Sequence, residues 1–81
     1  VDGAPVSGVV FDNTEASILK NSEIIRSGYG VVLRNNAHHN TIQNNTVVMN
    51  TERGIWIRQG CDRNNVFDNT VTDNNGEGIY I

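Results

Sequence analysis

The spacing from Arg34 to Arg58 equals that from Trp56 to Tyr80, and Asp12 precedes Arg34 by a slightly shorter interval. A guanidinium fork binds carboxylates through two parallel hydrogen bonds, and an aromatic face offers a flat apolar surface on which a sugar ring can stack. Held side by side, these five residues would suit a chain of acidic sugars. His38 and His39, with Cys61, offer imidazole and thiolate ligands for copper or zinc. Adjacent residues of a strand point to opposite faces, although a corner could relax that; no metal site is expected from the pair, and a place in an exposed loop is the default. Asp62 and Arg63 hold the same offset from Arg58 that His38 and His39 hold from Arg34, which sets a histidine against an aspartate. The run Asp73-Asn74-Asn75-Gly76-Glu77 is rich in oxygen but lacks the length and spacing of a calcium loop, and it reads as a turn. No cofactor is indicated by these residues; calcium enters only as an ion that a longer parent protein could hold.

Residues so far apart in sequence become neighbours only if the chain repeats. Gly8-Val9-Val10-Phe11, Gly30-Val31-Val32-Leu33, Gly54-Ile55-Trp56-Ile57 and Gly78-Ile79-Tyr80-Ile81 share one pattern. The intervals between their glycines are equal from Gly30 onward and shorter only between Gly8 and Gly30. Ile18-Leu19-Lys20-Asn21, Ile42-Gln43-Asn44-Asn45 and Val66-Phe67-Asp68-Asn69 each stand at one fixed distance ahead of the glycine that follows. Each unit holds two or three short runs of alternating character, which is strand periodicity, and no helical period occurs. A unit of about 22–24 residues with short strands and asparagine corners fits one coil of a parallel β-helix. Each coil would bond to the next about 4.8 Å along the axis.

The pleat then assigns faces. Val9, Val31, Ile55 and Ile79 point inward with Phe11, Leu33, Ile57 and Ile81, and Ile18, Ile42 and Val66 form a second inward column. A third contains Val47 and Val71, but its first-coil member by simple alignment is Glu23, so this coil is expected to shift register and turn Ile24 or Ile25 inward. The two residues missing from the first coil are placed between Phe11 and Ile18. Asn21, Asn45 and Asn69 are expected to stack as a structural ladder of amides. Outward, Val10, Val32, Trp56 and Tyr80 form one column, and Asp12, Arg34 and Arg58 the next.

Composition agrees with such a coil. Thirteen asparagines and 8 glycines accompany a single proline among 81 residues, far more turn formers than helices tolerate. With 37% hydrophobic residues and no long apolar run, the chain is neither disordered nor membrane-spanning by helix. A net charge of −3 argues against nucleic acid as a partner, and the single cysteine excludes an internal disulfide.

The phrases N-T-I-Q-N-N-T-V (Asn40 to Val47) and N-N-V-F-D-N-T-V (Asn64 to Val71), each followed by Gly-Ile/Val-x-Ile/Leu, resemble right-handed parallel β-helix repeats of the pectate-lyase-like superfamily. Polysaccharide lyases, mannuronan epimerases, pectin hydrolases and carbohydrate-binding sugar-hydrolase repeats share them, as does a periplasmic copper-associated accessory family related to nitrous oxide reductase maturation. The resemblance covers residues 8 to 81. It implies an all-β, right-handed solenoid of about three coils, a single segment over 1–81 that reads as part of a longer solenoid, and an extracellular or periplasmic location. It implies binding or processing of an acidic polysaccharide such as alginate or pectate along one sheet; the outward register, rather than the resemblance, offers Trp56, Tyr80, Arg34, Arg58 and Asp12 as the contact residues. The other reading is a non-catalytic scaffold of the copper-accessory type. Mannuronan epimerases carry Tyr-Gly-x-Asp-Pro-His; here Tyr29-Gly30 is followed by Val31-Val32-Leu33, so the resemblance assigns no catalytic residue. Uncapped ends would also allow end-to-end self-association or contact with neighbouring coils of a parent chain.

Overall fold

The computed structural model describes residues 1–81 and contains strands and turns but no helix. The first coil carries β1 (Ser7–Asp12), β2 (Ile18–Lys20) and β3 (Glu23–Ile25). The second carries β4 (Tyr29–Arg34), β5 (Thr41–Gln43) and β6 (Thr46–Val48), and the third β7 (Ile55–Ile57), β8 (Asn65–Phe67) and β9 (Thr70–Thr72). Strand β10 (Ile79–Tyr80) opens a fourth. Every strand pairs in parallel with its counterpart one coil away, giving three sheets: β1-β4-β7-β10, β2-β5-β8 and β3-β6-β9. The chain is therefore a parallel β-helix of about three coils.

Its core lies between the three sheets and is deepest in the middle coil, which is covered on both sides. Phe11, Ile24, Val31, Leu33, Ala37, Ile42, Val47 and Ile55 form the buried cluster, with Val9, Leu19, Ile57, Val66 and Val71 packed against it. The repeating glycine sits where one sheet turns toward the next. A Cβ built on Gly30 would lie 2.5 Å from Val47 Cγ1, and one on Gly54 would lie 2.6 Å from both Gly78 O and Val71 Cγ1. These glycines are required by close approach of the adjacent coil, because a side chain would meet backbone there.

The first coil corrects two expectations. Leu19, not Ile18, faces Ile42 and Val66; Ile18 is 63% exposed. As expected, Ile24 fills the column of Val47 and Val71, leaving Glu23 outside; the second correction concerns the gap. The two missing residues are not together. One is lost between Asp12, paired with Arg34, and Glu15, paired with His38. The other is lost between Ser27, which donates its N–H to Asn50, and Gly30. Between those corners the coil runs one residue out of step with the alignment the glycines suggest.

Three ladders, not one, tie the corners. Asn40 and Asn64, Asn45 and Asn69, and Asn50 and Asn74 occupy the three corners in turn. In each pair the earlier asparagine donates both its backbone N–H and its side-chain amide to the Oδ1 of the later one, at 2.9–3.1 Å. The side-chain amide also reaches a carbonyl of the preceding coil, Thr14 for Asn40, Leu19 for Asn45 and Ile24 for Asn50. In the first coil the rungs are serines: Ser17, Ser22 and Ser27 donate backbone N–H groups to Asn40, Asn45 and Asn50 at 3.0 Å. Asn21 is thus not a rung. It lies exposed beside the ladder and accepts from the Asn44 side-chain amide at 2.7 Å.

The residue before each rung takes a left-handed backbone. Ala16, His39 and Arg63 do so at the first corner, Asn21, Asn44 and Asp68 at the second, and Arg26, Met49 and Asp73 at the third, with φ between 51° and 57°. Such a residue costs about 1 kcal/mol or more unless its type is tolerant, and the ladder bonds beside it hold the chain in that turn.

Candidate functional site

Two places on the surface gather chemistry-bearing side chains. The first is the outward face of the β1-β4-β7-β10 sheet. Register places Val10, Val32, Trp56 and Tyr80 in one column and pairs Asp12 with Arg34. Arg34 Nε donates to Asp12 Oδ2 at 3.1 Å, and Asn35 donates its side-chain amide to the other oxygen at 2.8 Å. These two contacts, the amide first, hold the Asp12 carboxyl below its ordinary range. Arg58 lies over Trp56, its guanidinium carbon 4.9 Å from the ring centre.

Sequence reasoning missed two members of this face. Arg53 lies 3.7 Å over the Tyr80 ring and 4.7 Å from the Trp56 ring, while its Nε donates to Glu77 at 2.9 Å. Tyr29 packs against Trp56 with ring centres 5.1 Å apart. Cationic groups over aromatic faces are attracted by the ring quadrupole. The pairing with Glu77 was readable, because opposite charges one coil apart recur: Asp2 with Arg26, Asp12 with Arg34, Glu15 with His38 and Arg53 with Glu77. Arg34 is thereby neutralised within the face, and a guanidinium already lies over each of the rings of Trp56 and Tyr80.

The second place is the corner between the first and second sheets. Glu15, His38 and Asp62 follow one another up three coils. His38 Nδ1 lies 2.7 Å from the Asn36 carbonyl, and Nε2 lies 3.3 Å from Glu15 Oε2. The carbonyl contact, followed by the charge of Glu15, raises the His38 pKa above its usual value. His39, with φ 57°, does not take the opposite face that strand alternation predicts. Its ring meets that of His38 edge-on, centres 5.2 Å apart. Glu15, His38 and His39 each offer one ligand atom, all within 4.8 Å of one another. Cys61, considered with the histidines on sequence grounds, instead packs against the core.

The oxygen-rich segment from Asp73 to Glu77 is occupied structurally. Asn74 is a ladder rung, Asn75 donates its N–H to the Asn50 carbonyl, and Glu77 holds Arg53.

No curated protein and no solved structure matches the chain. A family model described as periplasmic copper-binding protein (NosD) matches residues 2–81. Among the groups that the repeats resemble, this is the copper-associated one, and its periplasmic location agrees with the extracellular or periplasmic location that the resemblance implied. With the match running along nearly every residue of a β-helix built coil upon coil, the chain belongs to the NosD family.

Proposed function

We propose that the chain is a non-catalytic stretch of β-helix in a periplasmic protein that handles copper. The family match over residues 2–81 carries this reading. The distribution of polar groups supports it: the buried asparagines are taken up by the ladders, and Arg34 and Arg53 are paired with carboxylates of adjacent coils. The test is copper retained by the 81-residue chain after dialysis, measured by atomic emission, once with Cu(II) in air and once with Cu(I) under a reductant. Retention of copper in either state is expected, and none in both would overturn the reading.

A second reading, an acidic polysaccharide lying along the β1-β4-β7-β10 sheet, is favoured by the stacked pair of Trp56 and Tyr80 and by Arg58 over Trp56. Against it stand the pairing of Arg34 with Asp12 and the guanidinium of Arg53 over both rings. Titration with alginate or polygalacturonate oligomers separates the two. A change in Trp56 fluorescence that weakens with salt belongs to the glycan reading, and no change belongs to the scaffold.

A further inference from the structure

Resting on the copper-handling reading, we propose that Glu15, His38 and His39 form a binding site for the oxidised ion, Cu(II), on the first corner of the solenoid. Three observations converge on these residues. The first is that the corner does not need them. Its backbone is held by the rung pair Asn40 and Asn64, with Thr14 and Ser17 bonded to Asn40. Glu15 and His39 are exposed and His38 half-buried, so their side chains fill no core.

The second is how they converge. Glu15 and His38 come from successive coils in register, so stacking alone puts the carboxylate beside the imidazole. His39 would point away in a regular strand, but its left-handed backbone brings it round to the same side. Bonds to copper of about 2 Å, similar to those of zinc, set neighbouring ligand atoms roughly 3–4 Å apart. His38 Nε2 and Glu15 Oε2 are 3.3 Å apart, and the whole set lies within 4.8 Å. Small side-chain rotations on an open surface close the difference.

The third is the state of the His38 ring. With the Asn36 carbonyl accepting from Nδ1 at 2.7 Å, the neutral ring keeps its lone pair on Nε2, on the side facing Glu15. Fixing one ring nitrogen by a carbonyl so that the other meets the metal is the usual outer arrangement of a ligating histidine. Asp62, in register with His38 in the third coil, adds negative charge beside the site.

The ligand set chooses the ion. Two imidazoles and a carboxylate are nitrogen and oxygen donors, which suit Cu(II), and divalent copper tops the affinity order for such donors. Cu(I) prefers thiolate and thioether sulfur. The single thiol, Cys61, packs against the core, and the single thioether, Met49, lies on the third corner. Because two of the three residues are exposed, the remaining coordination positions are open to water or to an incoming ligand.

The test uses Cu(II) itself on the 81-residue chain, beside His38→Gln, His39→Asn and Glu15→Gln. Asparagine tolerates the left-handed backbone at position 39, so folding is preserved; circular dichroism melts of all four proteins check this. The expected result is one Cu(II) per chain, a paramagnetic resonance spectrum split by two imidazole nitrogens, and an affinity lower by about tenfold or more in each histidine variant. Copper bound equally well by folded histidine variants would overturn this site and leave the copper-handling reading standing. Binding of Cu(I) alone would overturn the choice of ion in the same way. No binding in either oxidation state would overturn both.

Discussion

Asn69 accepts two hydrogen bonds from Asn45 at a single oxygen, one from the backbone N–H at 2.9 Å and one from the side-chain amide at 3.1 Å. The same Asn45 amide turns its other hydrogen toward the Leu19 carbonyl of the preceding coil, and its oxygen accepts from Ser22. One side chain thus bridges three coils while only 2% exposed. Replacing Asn45 by alanine leaves the Ser22 N–H without its partner and removes the amide donor to the Leu19 carbonyl. The expected loss is about 1–3 kcal/mol, the penalty for buried polar groups left unpaired. Urea unfolding measures it, and Asn21→Gly is the control: an exposed neighbour outside the ladder, expected to change stability by about 0.5 kcal/mol or less.

Ser22 offers the converse experiment. It donates its backbone N–H to Asn45, but its hydroxyl turns back to the Lys20 carbonyl, so the rung lacks the second bond made by every asparagine pair. Ser22→Asn supplies an amide for the Asn45 oxygen. A gain of about 0.5–1 kcal/mol is expected, a typical net hydrogen bond less the hydroxyl contact given up. A shift of the urea midpoint to higher concentration, at unchanged slope, reports it.

The glycine column responds in a graded way. Gly30→Ala would place its methyl 2.5 Å from Val47 Cγ1 and against the Gly54 carbonyl, whereas a methyl on Gly78 finds its nearest neighbours at 3.7 Å. Overpacking of this kind costs about 1–3 kcal/mol, which for a domain of this size lowers the melting temperature by roughly 4–8 °C per kcal/mol. Gly30→Ala is expected to melt well below wild type and Gly78→Ala close to it.

Acid acts on the outward face through Asp12. Its carboxyl is held below the usual range, first by the Asn35 amide and then by Arg34. Because the folded pKa is the lower one, the stabilisation is present above the unfolded value of about 3.9 and is lost as pH falls through the folded value. The group is exposed, so the effect on stability is small and screened by salt. Carboxyl titration by nuclear magnetic resonance is the sharper readout. In Arg34→Gln the Asp12 pKa is expected to move up toward its ordinary value, and an unchanged titration would remove Arg34 as a cause.

How much of this was legible in the residues differs from coil to coil. Gly30 to Ile57 could be placed by spacing alone, since the glycines and the apolar columns there keep one constant period. The first coil could not, because its two missing residues lie at separate corners. Asp12 to Glu15 are polar, and Ser27 to Gly30 hold only small residues besides the outward Tyr29, so inward hydrophobic periodicity carries no information about where the gaps fall. A finer signal was present. Serines at 17, 22 and 27 keep the same short spacing as asparagines at 40, 45 and 50 and again at 64, 69 and 74. That spacing marks all three ladders, but it is a pattern of polar residues and is invisible to a search for buried faces. His39 was misplaced for a different reason. Strand alternation holds only while the backbone stays extended, and the left-handed turn before every rung cancels it. Arg53 stands just ahead of Trp56 in the chain and reaches back over it and over Tyr80, a contact between columns that register within one column does not predict.

The two corners at which coils differ in length have a consequence for how such a chain can change. The first coil omits one residue between Asp12 and Glu15 and another between Ser27 and Gly30, yet the rungs at Ser17, Ser22 and Ser27 still meet Asn40, Asn45 and Asn50. Chain length at those two bends is therefore uncoupled from the alignment of everything between them. They are natural splice points. Extra segments grafted there would emerge from the rim of the coil, and a lineage of such solenoids can acquire new recognition loops at these bends while its internal lattice of amides stays untouched.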